Sequence, residues 1–240
     1  MRADELTLLR HGEVEVLGRL PWSSNATMLA AVRRSGDGDD AVAVARHAVY
    51  KPRRGERPLW DFPEGLDRRE VAAYELSAAL GWDVVPETVL RDDLPFGVGS
   101  LQRFVPFDTE QHYFTLYEDE AYHPTLRTIC CFDLLCNQAD RKGGHCLLGE
   151  DGRIWAVDNG LAFHTDAKLR TVIWEFAGEP IPDNLGSDIC ALLSRGIPDT
   201  LTPLLRPDER TALQQRAERL AAHATFPLPR GDRHYPWPLV

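Results

Sequence analysis

The sequence has no long apolar run, no paired-cysteine spacing and no excess of positive charge, and each absence closes a class of function. Nothing in it approaches the roughly 20 apolar residues that a membrane-spanning helix needs. The most apolar run, Ile129, Cys130, Cys131 and Phe132, is broken at once by Asp133. Five cysteines is an odd number, and Cys130, Cys131, Cys136 and Cys146 lack the CxxC spacing of a zinc site, so they read as reduced thiols lining a core. His11, His47, His112, His123, His164, His223 and His234 show no HExxH or comparable spacing, which argues against a zinc hydrolase. With 27 Lys+Arg against 37 Asp+Glu the formal charge is -10. A net-acidic surface repels polyanions at long range, so neither nucleic acid nor an anionic membrane is an expected partner. The charged start, Met1 to Glu5 in sequence, is followed by no apolar signal core, and a cytoplasmic protein without a stable membrane anchor is expected.

What is present is ordinary globular material: 240 residues, 43% hydrophobic and 27% charged, enough for one large domain or two intimate lobes. Residues 8–50 read as strands and turns, with a hairpin of 28–32 against 41–45 around the tip Ser35-Gly36-Asp37-Gly38-Asp39-Asp40, and a further strand over 48–51. A helix opens at Asp67-Arg68-Arg69-Glu70 and stops at Gly81, with strands expected at 84–90 and 99–105. The second half turns helical: 124–139, 187–195 and 207–223, with short strands near 146–148 and 154–157. The Pro-rich residues 227–240 read as an irregular strap or a loose tail. This pattern predicts an α+β bilobal plan, a β-rich N-lobe over 1–105 and a mainly helical C-lobe over 106–240, forming one domain.

The chemistry concentrates in Asn137-Gln138-Ala139-Asp140-Arg141-Lys142-Gly143-Gly144-His145 and in Ala156-Val157-Asp158-Asn159-Gly160-Leu161-Ala162-Phe163. A loop after a buried helix offers Asp140 and, five residues on, His145; Asp158 ends an apolar strand after a tight hairpin. Phosphoryl transfer needs a carboxylate near the attacking hydroxyl and a second set of ligands for the divalent metal on the phosphates. Asp140 suits the first role, and His145 with Asp158 the second. Arg141 has two readings, neutralising developing charge or bracing the loop. Lys51 ends a strand at Pro52, where a kinase places the lysine that pairs with the α/β-phosphates, the alternative being an ordinary surface lysine. Gly18 to Thr27 in sequence has no GxGxxG pattern, yet Ser23, Ser24 and Asn25 offer donors for phosphate oxygens.

These two loops, in this order and spacing, resemble the catalytic loop and metal-binding motif of the phosphatidylinositol 3-/4-kinase-like family, nearest its type II phosphatidylinositol 4-kinase branch. The resemblance covers residues 15–185 in scattered islands. It implies a kinase-like fold, ATP with Mg²⁺ or Mn²⁺ as cofactors, and transfer of the γ-phosphate to a hydroxyl acceptor. Glu70 resembles the helix glutamate that fixes the lysine, with Glu75 the competitor; Ser23 to Asn25 resemble the Ser-rich phosphate loop. Gly99 to Val105 resembles the strand entering the adenine hinge, with the Phe104–Val105 backbone meeting the base. Trp174 resembles a further downstream position.

The chain departs from that pattern at His145, where the family carries Asn. A nitrogen donor suits Mn²⁺ better than Mg²⁺, and a nucleotide-binding pseudokinase or a nucleotidyl-transferring enzyme are the alternatives to a kinase. Residues 163–175 hold only Lys168 and Arg170 as firm positive charges, so a protein or soluble small-molecule acceptor is expected rather than a lipid. Asp232-Arg233-His234 repeats part of a catalytic motif, but no metal-bearing strand follows it.

Overall fold

The computed structural model describes residues 2–21, 25–34, 45–229 and 233–240. It has two compact units: Met1–Val71 with Pro86–Phe104, and Ala72–Val85 with Val105–Val240.

In the first unit, β1 (Glu13–Arg19), β2 (Met28–Arg33), β3 (Ala45–Pro52), β4 (Thr88–Arg91) and β5 (Gly99–Arg103) form one antiparallel sheet in the order β1-β2-β3-β5-β4. The hairpin differs from the sequence reading. β2 pairs with one continuous β3, Met28 opposite Tyr50 and Arg33 opposite Ala45, so the run at 48–51 is the second half of β2's partner and not a further strand. That register puts Ala30, Val32, Ala48 and Tyr50 into one buried cluster with Leu101 and Val89. The acidic tip and residues 41–44 lie outside the described residues.

A second difference is α1 (Arg2–His11), a helix where the sequence reading has strand from residue 8. A short apolar run such as Leu6-Thr7-Leu8-Leu9 does not separate helix from strand by period. The deciding signal is charge: Asp4 and Glu5 in the first turn and Arg10 and His11 in the last complement the helix dipole. Leu8 and Leu9 are buried in the sheet's core. The Arg91 guanidinium of β4 donates to the carbonyls of Leu9 (3.1 Å) and Gly12 (2.7 Å), satisfying the helix end. Gly12 must be glycine, since a Cβ there would meet Val32 at 2.6 Å and the Leu8 carbonyl at 2.7 Å.

α2 (Leu66–Leu80) begins in the first unit and continues into the second, ending where Gly81 takes φ +70. The second unit holds α3 (Tyr113–Tyr117), α4 (His123–Cys136), a two-stranded hairpin of β6 (Cys146–Leu148) and β7 (Ile154–Ala156), α5 (Asp183–Arg195) and α6 (Pro207–His223). α4 supplies the centre: Leu126, Ile129, Cys131, Phe132 and Leu135 are fully buried. Cys130, Cys131, Cys136 and Cys146 are buried free thiols, and Cys190 on α5 is exposed. Burial pushes the Cys131 and Cys146 thiols up to about 12. Among the described residues, no helix is long and apolar enough to cross a membrane.

Candidate active site

β3 delivers Lys51 at its end, opposite Ser100 of β5. Its ammonium is hydrogen-bonded and ion-paired to Glu70, in the first half of α2. The Glu70 side chain is 3% exposed and that of Lys51 22%, an arrangement in which the buried carboxylate fixes the lysine and the ammonium retains access to solvent. The start of α2 is itself anchored. Arg53 reaches the Asp67 carboxylate at 2.8 Å, and Glu56 accepts the amides of Gly65 and Asp67 at 3.1 and 2.9 Å.

Ser23 and Ser24 lie outside the described residues. Asn25 is described, and its Oδ1 accepts the Arg57 amide at 3.1 Å, tying the loop before β2 to the segment after Lys51. At the expected hinge, the Phe104 amide donates to the His47 carbonyl at 3.0 Å. The Phe104 N–H is therefore committed within the sheet, and an adenine contact from this pair would use other backbone atoms. Phe104 ends the first unit and Val105, which is buried, begins a segment of the second.

In the second unit, α4 stops at Asn137 in the left-handed conformation (φ 57), which asparagine tolerates because its side chain bonds locally. Asn137 Nδ2 donates to the carbonyls of His164 and Asp166 at 2.9 and 2.7 Å, and its Oδ1 accepts the Lys168 amide at 3.0 Å. The chain then runs into the Asp140 loop, stitched to the Asp158 segment by the Ala139 amide to the Leu161 carbonyl (2.8 Å) and the Val157 amide to the His145 carbonyl (3.0 Å). Asp158 has φ 58 and Phe163 φ 63. The second is costly for a bulky side chain, and such strain concentrates where geometry is over-determined by function.

Arg141 sits at the centre of the loop's hydrogen bonds. It is fully buried, and its donors face protein groups, the arrangement that bracing the loop requires. Nε and Nη2 donate to Asp133 at 3.1 and 2.9 Å, Nη1 to the Val157 carbonyl at 2.6 Å, and Nη2 also to Asn159 Oδ1 at 2.6 Å. Thr171 Oγ1 donates to the same Asp133 carboxylate at 3.1 Å. Burial disfavours the guanidinium's charge, but the Asp133 carboxylate outweighs that and keeps Arg141 cationic. One ion pair thus aligns α4, the Asp140 loop, the Asp158 segment and the Thr171 segment. Asp133 went unassigned in the sequence, although its signal was visible: a lone charge inside an apolar helix.

Asp140 is 26% exposed and lies 3.2 Å from Lys142 Nζ, a residue that the sequence reading did not select. Burial raises the Asp140 carboxyl above the ordinary range, Lys142 pulls it back, and the nearby Asp158 charge adds to the rise. Asp158 is half exposed at 54%, with His145 Nε2 at 3.5 Å from its Oδ2. The Lys142 amide donates to His145 Nδ1 at 3.3 Å, so a neutral ring carries its proton on Nε2 and presents N–H, not a lone pair, toward Asp158. In this arrangement the His145 ring faces the Asp158 carboxylate with its donor side. Among the described residues no cluster of three or more His, Cys, Asp or Glu is placed to hold a metal. Coordination completed by nucleotide phosphates and water is the usual manner of Mg²⁺.

No protein-family model matches the chain. A solved structure of hydra Fam20 with sugar aligns with a TM-score of 0.53 at 13% identity, covering 93% of this chain and 88% of that one. A crystal structure of the Helicobacter pylori proinflammatory kinase CtkA aligns at 0.48 with 12% identity, over 90% and 94% of the two chains. The fold is α+β and kinase-like, an antiparallel-sheet N-terminal region followed by a helical C-terminal region. Among curated sequences, Protein Rv2133c of Mycobacterium tuberculosis is 38% identical over 276 residues, spanning 99% of this chain and 96% of its own length. At that identity and coverage, the chain belongs to the same family as Protein Rv2133c.

Proposed function

We propose that the protein is an ATP- and divalent-metal-dependent phosphotransferase with the catalytic logic of the phosphatidylinositol 3-/4-kinase-like family, its N-lobe spanning 1–105 and its C-lobe 106–240. The observation that supports this is the Arg141 hub, which ties the loop carrying Asp140 to Val157 and Asn159 on either side of Asp158. Lys51, held by Glu70, pairs with the α/β-phosphates, and the Ser23-to-Asn25 loop covers them. Asp140 accepts the proton of the acceptor hydroxyl as its oxygen bonds to the γ-phosphorus and the bond to the β-γ bridging oxygen breaks, releasing ADP. Asp158 would hold Mg²⁺ or Mn²⁺ with His145 beside it, and the metal supplies charge neutralisation on the phosphates.

A protein or soluble small molecule is the favoured acceptor. The excess of acidic residues lies almost entirely in the second unit, which carries Asp140, and that field disfavours an anionic lipid headgroup. The same field disfavours nucleic acid. The reduced thiols support a cytoplasmic setting.

Incubation with γ-labelled and α-labelled ATP tests the reading. Acceptor labelled from the γ-position only, and lost in Asp140→Asn with ATP affinity retained, is the expected result. Label from the α-position shows nucleotidyl transfer, and ATP binding without either label shows a pseudokinase. The acceptor panel includes free sugars, since hydra Fam20 was solved with one, alongside lysate protein.

A further inference from the structure

Residues 233–240 run back against the Asp140 loop, held by hydrogen bonds to their carbonyls more than by burial. The Gly143 amide, three residues past Asp140, donates to the Leu239 carbonyl at 2.7 Å. The Thr171 amide and Trp174 Nε1 both donate to the His234 carbonyl at 3.1 Å. These donors sit on two segments already joined to each other. Arg141 and Thr171 form a parallel bridge, with the Arg141 amide on the Arg170 carbonyl and the Val172 amide on the Arg141 carbonyl, each at 3.0 Å. The tail therefore supplies carbonyl acceptors to the two segments that this bridge joins, His234 to the Thr171 segment and Leu239 to the Asp140 loop, a docking by main-chain acceptors of the kind that peptide recognition uses.

Side chains complete the clamp. A Cβ at Gly143 would lie 3.2 Å from the Phe114 ring and 3.3 Å from Val240, so the loop is boxed between α3 and the tail's last residue. The Trp174 and His234 rings meet edge to face at 5.8 Å.

We propose that residues 233–240 are a positioning strap for the Asp140 loop: they fix where Asp140 stands while touching no reacting atom. Little core is invested in it. Pro236 is its single buried residue, and Trp237, at 87% exposure, makes no core at all. Removing the strap therefore loosens the loop without unfolding the unit. Its catalytic consequence rests on the phosphotransferase reading above, but its structural content does not.

The test is a chain ending at Arg233, compared with the full chain by amide hydrogen exchange and by ATP turnover. Exchange at Gly143 and Thr171 should quicken by about tenfold or more while amides of Ile129 and Phe132 in α4 stay protected. In the turnover assay, kcat should fall by about tenfold or more with KM for ATP little changed, as expected when a catalytic group is misplaced and the nucleotide site is intact. A synthetic peptide of residues 234–240, added in trans, should restore both. Trp174→Phe, which removes one donor to His234, should quicken Thr171 more than Gly143. Unchanged exchange at Gly143 and Thr171 in the shortened chain overturns the proposal, and so does loss of protection throughout α4, which would make the tail a folding element. Absence of ATP turnover in the full chain defeats the phosphotransferase reading alone, and the exchange data still decide the strap.

Discussion

Asp133 and Arg141 face each other across eight residues of sequence with neither side chain exposed to water. Taking both charges out of solvent is costly, and further bonds offset that cost: Asp133 Oδ2 accepts from Thr171, Arg141 Nη1 donates to the Val157 carbonyl and Nη2 to Asn159. Removing one partner strands the other. Asp133→Ala should lower unfolding free energy in urea by about 3–5 kcal/mol. The double replacement Asp133→Leu with Arg141→Met should recover much of that loss. If the double variant is as unstable as the single, the ion pair is not what aligns the loops.

Lys51 and Glu70 should behave as a unit. Lys51→Met is expected to weaken ATP binding about tenfold or more through the lost phosphate partner. Glu70→Gln should cost nearly as much because the ammonium loses its buried anchor. In a double-mutant cycle read by calorimetric titration of ATP, the two effects should fall well short of adding. Strict additivity would show that Lys51 is positioned by something else.

Asp140 makes a signed prediction about pH. Its carboxyl is raised, first by burial and further by Asp158. A proton acceptor must be ionised, so kcat/KM should fall as pH drops through a pKa above the ~3.9 of a free aspartate. Lys142 pulls that pKa down. Lys142→Met should therefore move the acid limb of the profile to higher pH, and a limb that stays in place or moves to lower pH would contradict the contact between the two residues.

His145 should affect both metals alike. Because its Nδ1 accepts the Lys142 amide, the ring donates toward Asp158, and His145→Asn should weaken Mg²⁺- and Mn²⁺-supported ATP binding equally, by about tenfold. This differs from the sequence expectation of a nitrogen ligand selecting Mn²⁺. A wild-type preference for Mn²⁺ that disappears in His145→Asn would show that the ring turns and ligates.

Asp140, Asp158 and Lys51 stand out in the sequence because each lies at the end of an apolar element, where a charged side chain needs a reason. Their supports were harder to read. Asp133 looks like an interruption until its partner eight residues on is known to fold beneath it, and a tail carbonyl such as that of His234 leaves no mark in composition. α1 was missed because four residues of apolar pattern fit two periods, and the charges that settle it lie at the helix ends. β3 was split because alternation within an alanine-rich strand is faint; the register against β2 decides its length, and register is a property of two segments, not one.

The buried cysteines give the second unit a built-in chemical clock. Cys130, Cys131, Cys136 and Cys146 are sealed in as protonated thiols, and Cys136 and Cys146 lie close enough to Arg141 to sense its charge. Cys190 alone stands outside. An alkylating reagent should mark the folded chain once, at Cys190, and then add further marks only as fast as the interior breathes open. Mass spectrometry of that slow second phase measures how often water reaches the Asp133–Arg141 pair, with the Cys190 adduct as its zero of time.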